Sequence, residues 1–137
     1  MGDFSHKEEN FNHHLRKVID ANLGNEQFGV TQLAEEMHMS RSTLYRKIKK
    51  TLHLSVSQYI CQMRLNRAFS LLLQSSLTIS DIAYDCGFHS VPYFSKCFHK
   101  WYGIPPHKVR EGNLTGSRPP FKHPDHSPLS SFLKPKK

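Results

Sequence analysis

The chain has 137 residues, with 19 Lys and Arg against 11 Asp and Glu, a formal charge of +8 when histidine is neutral. That length accommodates one domain, or two small ones sharing a core, and excludes a large multidomain enzyme. Leu, Ile, Val and Phe supply about a quarter of the residues, enough for a modest core. The longest aliphatic run, Leu71-Leu72-Leu73, falls far short of the roughly 18 apolar residues of a membrane span. No N-terminal signal pattern is visible, so a soluble cytoplasmic protein is expected.

Ser5 with Glu8 has the spacing of a capping box, and Phe11, Leu15, Val18, Ile19 and Leu23 then recur at helical intervals until Gly24. A shorter helix from Thr31 carries Leu33, Ala34 and Met37. After a turn at His38 and Met39, Ser40 caps a helix whose inward side is Leu44, Ile48 and Leu52. Ser55 with Gln58 opens a long helix to about Gln74, uninterrupted by Gly or Pro. At 100° per residue, Val56, Tyr59, Ile60 and Met63 fall on one side of it and Leu65, Ala68, Phe69 and Leu72 nearly opposite. Such a helix packs on different partners at its two ends, and the polar Gln62, Arg64, Asn66 and Arg67 favour a connector over a single buried core helix.

Thr78 with Asp81 caps a short helix bearing Ile79, Ile82, Ala83 and Cys86, and Gly87 offers the positive φ of a tight turn. Ser90 starts a helix with the stripe Phe94, Phe98, Trp101 and Tyr102, in which Pro92 is tolerated because first-turn amides lack intrahelical acceptors. Gly103 ends it, and Pro105-Pro106 begins a last short helix to Arg110. The expected organisation is an N-terminal helix and first helical pair over 1–54, a linker helix over 55–75, a second pair over 76–110, and a flexible basic Pro- and Ser-rich tail over 111–137. In that tail Phe121, Phe132 and Leu133 form a possible docking motif, and Lys134, Lys136 and Lys137 a basic end.

The basic residues are not spread evenly. Between Glu36 and Asp81 there is no acid, while Arg41, Arg46, Lys47, Lys49, Lys50, Arg64 and Arg67 are all basic. After Asp85 the chain is again acid-free to Arg110. This balance favours an anionic partner. Ten histidines, with a reference pKa near 6.5, add further charge in mild acid. Cys61, Cys86 and Cys97 form an odd set without C-x-x-C spacing, which points to reduced thiols; Cys86, His89, Cys97 and His99 lack the paired spacings of a zinc site.

Two copies of one unit are present. Leu33, Ala34, Met37 and Met39 pair with Ile82, Ala83, Cys86 and Phe88 at an offset of 49, and Leu44, Ile48, Leu52 and Leu54 with Phe94, Phe98, Tyr102 and Ile104 at 50. One residue is therefore inserted near the second turn. Each unit is a short helix, a tight turn and a second helix with one stripe to bury and one left free, the pattern of a helix-turn-helix. The free stripes are Ser42, Tyr45, Arg46 and Lys49 in unit one and Pro92, Ser95, Lys96 and His99 in unit two. Polar helices of this kind suit the DNA major groove, where Arg and Lys serve guanine or phosphate. A connector of about 19 residues spans about 28 Å, against about 34 Å between successive major-groove segments on one face of a duplex. One chain is thus expected to enter two adjacent grooves, with the DNA bent toward it.

These residues strongly resemble the DNA-binding domain of the AraC/XylS family of bacterial transcription regulators. The match runs through Leu33-Ala34, Ser40 to Lys49, Ile82 to Phe88, Tyr93 to Phe98, and Gly103-Ile104-Pro105-Pro106, and covers roughly Phe11 to Arg110. The resemblance implies an all-α, homeodomain-like fold with two helix-turn-helix subdomains, recognition helices over 41–52 and 91–102, and a linker helix over 56–74. It also implies binding of double-stranded promoter DNA and contact with RNA polymerase. Two positions depart from the family pattern: His38 stands where a Gly is frequent, though His enters positive φ more readily than most residues, and Val109 stands where an aromatic is common. The first half also resembles output domains attached to hybrid two-component sensors of Bacteroidetes; a free-standing short regulator is the competing context.

The expected DNA-binding residues are Ser42, Tyr45 and Arg46 for base contacts in unit one, with Arg41 and Lys49 nearer phosphates, and Tyr45 alternatively packing. In unit two Pro92, Ser95 and Lys96 face the groove, with Ser90, His99 and Lys100 toward its walls. Unit one, having more charge, is expected to dominate affinity. No catalytic residue, metal or cofactor is expected, because no phosphate loop, paired-carboxylate site or nucleophile motif appears. A metal hydrolase, an RNA or protein-interaction module and a plain helical bundle are the rival readings. Any dimerisation is assigned to regions outside this chain.

Overall fold

The computed structural model describes residues 2–116, with side chains from Glu9 onward. The described residues form only helices: α1 (Gly2–Asn22), α2 (Val30–Glu36), α3 (Arg41–Leu52), α4 (Val56–Gln74), α5 (Ile79–Asp85), α6 (Val91–Tyr102) and α7 (Pro106–Arg110). Four of the starts are held by caps legible in the sequence. Ser40 Oγ accepts from the Thr43 amide at 3.1 Å, Ser55 Oγ from Gln58 at 3.1 Å, Thr78 Oγ1 from Asp81 at 3.0 Å, and Ser90 Oγ from Tyr93 at 3.2 Å. Each satisfies an amide that has no intrahelical partner. The first helix departs from expectation: α1 starts at Gly2, so Ser5 lies inside it. Nothing in Gly2-Asp3-Phe4 forbids helical φ, and each residue added to a formed turn contributes a hydrogen bond. The tail residues Phe121, Phe132, Leu133, Lys134, Lys136 and Lys137 lie outside the described residues.

Helix α4 separates the apolar side chains into two clusters. Val56, Tyr59, Ile60 and Met63 pack with Leu15, Ile19, Leu33, Leu44 and Ile48 from α1, α2 and α3. Leu65, Ala68, Phe69 and Leu72 pack with Ile82, Ala83, Phe94, Phe98 and Tyr102 from α5 and α6. The opposed stripes seen in projection are thus two cores sharing one helix. In the second core Phe69 lies 4.8 Å from Tyr102 between ring centroids, and Phe98 lies 4.7 Å from Tyr102.

The middle of α4 connects the two cores, as its polar residues suggest, yet Gln62 and Asn66 are buried within it. The Tyr102 hydroxyl donates to Asn66 Oδ1 at 2.5 Å, and Gln62 Nε2 donates to the same oxygen at 3.3 Å. Both units close over these turns of the helix, and a tyrosine buried by α6 needs an acceptor there. Burial also pushes the Tyr102 phenol above its ordinary pKa.

The two turns are built alike. Met39 N–H donates to the Ala34 carbonyl and His38 N–H to Glu35, each at 3.1 Å; Phe88 N–H donates to Ala83 and Gly87 N–H to Tyr84, each at 3.0 Å. The pivots His38 and Gly87 both have positive φ, 58° and 90°. His38 therefore occupies the left-handed region with the turn fully formed. The inserted residue of unit two is His89, exposed between Phe88 and the Ser90 cap. At the C-terminal end Val109 is completely buried, and Arg110 Nε donates to the Leu72 carbonyl at 2.9 Å, so α7 packs on α4 without the aromatic.

Candidate nucleic-acid interface

In unit one, Leu44 and Ile48 bury one side of α3. Arg41, Ser42, Tyr45, Arg46 and Lys49 are all exposed, so the structure brings the five expected residues onto one solvent-facing side. Tyr45 is 46% exposed and belongs to neither buried core. Arg46 Nη2 reaches Thr43 Oγ1 at 3.4 Å, and that oxygen also accepts from Ser40 Oγ at 3.0 Å. Lys47 points elsewhere, over the Phe11 ring at 5.2 Å from the centroid. An open groove of about 480 Å³ runs beside the stripe, lined by Arg41, Ser42, Tyr45 and Arg46 and by Ser55, Val56 and Ser57 of the α4 start. Ser57, exposed at the second residue of α4, lines this groove and is not among the expected residues.

In unit two, Phe94, Phe98 and Tyr102 bury one side of α6. Pro92, Lys96, His99 and Lys100 are exposed and Ser95 is half-buried. Ser90 is also half-buried, and its oxygen serves the α6 cap, which leaves its hydroxyl proton to donate outward. The sequence reading omitted Tyr93, which is 48% exposed. Its ring stacks on the inserted His89 at 5.6 Å, and a hydrogen bond with Cys97 raises its pKa.

Two of the three thiols are held protonated by burial. Burial pushes Cys61 up to about 11 and Cys86 up to about 12, so both stay protonated at neutral pH. Cys86 is fully buried while His89 and His99 are exposed, and among the described residues no three His, Cys, Asp or Glu are grouped as a metal ion would need. No described helix is long and apolar enough to cross a membrane.

The site thus consists of two exposed, basic, cap-initiated helices, each the second member of a short-helix pair and both mounted on α4. A family model described as a helix-turn-helix domain matches residues 33–112. Over 99 residues the chain is 42% identical to the HTH-type transcriptional regulator GbdR of Pseudomonas aeruginosa, covering 72% of this chain and 27% of that protein. A transcriptional regulator structure from Chromobacterium violaceum, of the AraC-type DNA-binding domain class, superposes with a TM-score of 0.70 at 31% identity, over 77% of this chain and 93% of that one. The chain belongs to the AraC/XylS family.

It carries that family's helix-turn-helix DNA-binding domain of transcription regulators. This AraC-type domain is also similar to the DNA-binding domain of AdpA solved in complex with a target DNA, with a TM-score of 0.64 at 27% identity over 72% of this chain and 91% of that one. It is 41% identical over 90 residues to histidine kinase P4 of Formosa agariphila, covering 66% of this chain and 7% of the kinase. The chain thus spans about a quarter of GbdR and a small fraction of the kinase.

Proposed function

We propose that this AraC-family domain reads promoter DNA as a single chain, placing α3 and α6 in successive major grooves of one duplex. The observation that carries the reading is the repeat itself: two cap-turn-helix units, mounted on one continuous α4, each leave a polar stripe exposed on the second helix. The 19 residues of α4 measure about 28 Å, close to the groove repeat of about 34 Å. The shortfall favours DNA curved toward the protein.

Ser42, Tyr45 and Arg46 are assigned to base edges, and Arg41 and Lys49 to phosphates. Pro92, Ser95 and Lys96 face the second groove, with Ser90, His99 and Lys100 along its walls. Unit one dominates affinity because its stripe carries three exposed cations in a stretch without acids. The family resemblance supports contact with RNA polymerase, and the similarity to a segment of a histidine kinase supports a place at the output end of a signalling protein. The activity is binding rather than catalysis.

Selection from a random duplex library at two salt concentrations tests this directly, because phosphate contacts make affinity salt-dependent. Enrichment of an asymmetric site with two blocks about one helical turn apart is the expected result. Salt-sensitive binding without enrichment would leave a basic module that does not read sequence, and no binding at low salt would refute DNA recognition altogether.

A further inference from the structure

Helix α4 joins the two units along its axis, but a single helix bends at low cost. The structure contains a second connection, away from that axis. Arg64 sits at the crossover of α4, directly between Met63 of the first core and Leu65 of the second. Its Nη2 donates to the carbonyls of Asn25 at 2.9 Å and Phe28 at 3.2 Å, both in the α1–α2 loop of unit one. The other side of the guanidinium faces unit two. A Cβ added to Gly87, the pivot of the α5–α6 turn, would lie 2.7 Å from Arg64 Nε and 2.2 Å from the Leu23 carbonyl oxygen. One added to Gly24 would lie 3.1 Å from the Asp85 carbonyl. The backbone of 23–24 therefore rests on the backbone of 85–87, with the Arg64 guanidinium wedged beside the contact.

The repeat shows why this is a device and not a property of the turn. His38 holds the same left-handed pivot in unit one and is exposed, with a full side chain. Positive φ alone thus does not require glycine here, whereas the approach of Leu23 and Arg64 to position 87 does. Gly87 stands three residues before the Ser90 cap, so whatever fixes Gly87 fixes where α6 begins.

We propose that Arg64 and Gly87 form a strut that locks α6 to unit one and thereby sets the spacing and phase at which the two DNA blocks are read. Arg64 is a positioning residue, touching no DNA. The inference rests on the two-groove reading. It implies that the free protein is one rigid body with a strict spacer requirement. Arg64→Lys keeps the charge and loses the planar guanidinium whose Nε and Cζ lie against position 87 while its Nη2 holds the two carbonyls; Gly87→Ala pushes the two backbones apart.

The test uses the two-block duplex enriched from the library and versions with one base pair inserted or removed between the blocks. Wild type should bind the altered spacers at least about tenfold more weakly, about 1.4 kcal/mol. Arg64→Lys should reduce that penalty to about threefold or less while keeping its affinity for a duplex carrying the unit-one block alone. Residual dipolar couplings on the free proteins give a reading without DNA: one alignment tensor for both units in wild type, two distinct ones in Arg64→Lys. Gly87→Ala should behave in the same way. Strict spacing and a single tensor in Arg64→Lys would overturn the strut and leave the two-groove reading standing. Indifference of wild type to the spacer would overturn the two-groove reading and, with it, the strut's role in DNA recognition.

Discussion

Replacing Gly87 by alanine and His38 by glycine perturbs the same pivot in the two copies of one unit, and the structure predicts unequal consequences. At Gly87, φ is 90°, and a residue with a Cβ in left-handed backbone costs about 1 to 2 kcal/mol. The new Cβ would also meet the Leu23 carbonyl oxygen at 2.2 Å, and that atom is backbone that yields only if the α1–α2 loop shifts. Overpacking of this kind costs about 1 to 3 kcal/mol. Together the loss is about 2 to 5 kcal/mol, a large part of the roughly 5 to 15 kcal/mol of a typical domain. At about 4 °C per kcal/mol the melting temperature should fall by roughly 8 to 20 °C. At His38 the φ of 58° carries the first cost without the second, since the residue is exposed. Glycine there relieves about 1 kcal/mol of strain and loses a similar amount to the freer unfolded chain, leaving a change within about 1 kcal/mol. Urea and thermal unfolding followed by circular dichroism measure both. A Gly87→Ala protein within about 0.5 kcal/mol of wild type would refute the close approach, and a His38→Gly loss beyond about 2 kcal/mol would refute the equivalence of the two turns.

Three further outcomes follow from particular side chains. Arg46→Ala should weaken the selected site by about 1 to 3 kcal/mol and relax one base preference, whereas Lys49→Ala should weaken all duplexes alike and lower the salt slope by about one; equal losses on selected and random DNA would remove Arg46 from base reading. Tyr102→Phe should cost about 1 to 3 kcal/mol by leaving the buried Asn66 oxygen with only the 3.3 Å contact from Gln62, and unchanged urea unfolding would deny that hydrogen bond any weight. Cys61, raised to about 11, should react with iodoacetamide slowly at pH 8 and faster as the pH approaches 11. Because its folded pKa lies above the unfolded value, the folded chain holds the proton longer, so stability should fall as pH rises from about 9 through that range. Rapid alkylation of Cys61 in the folded protein at pH 7.5, located by peptide mapping, would contradict the protected thiol.

Much of the fold was legible because its signals are local. Ser40, Ser55, Thr78 and Ser90 each sit at the start of a helix they cap, since a hydroxyl needs only the amide three residues on. The opposed stripes of α4 translated into two cores because helical periodicity alone decides which side chains share a face. The same rule exposed Arg41, Ser42, Tyr45, Arg46 and Lys49 together once Leu44 and Ile48 had to be buried. Ser5 misled because a capping pair is permissive: the spacing allows a helix to start there and does not prevent an earlier start.

By itself, then, the sequence determined the helices, the duplication and the two basic stripes, all of which depend on residues within a few positions of one another. Tertiary structure alone decided what lies between the units. Gln62 and Asn66 look like polar connector residues until Tyr102, far along the chain, arrives to bury them and donate a hydrogen bond to Asn66. Gly87 looks like a residue chosen for its turn until Leu23 and Arg64 are found against it. Periodicity and capping cannot report such contacts, because they join residues far apart in sequence, and these contacts hold the two units in one orientation.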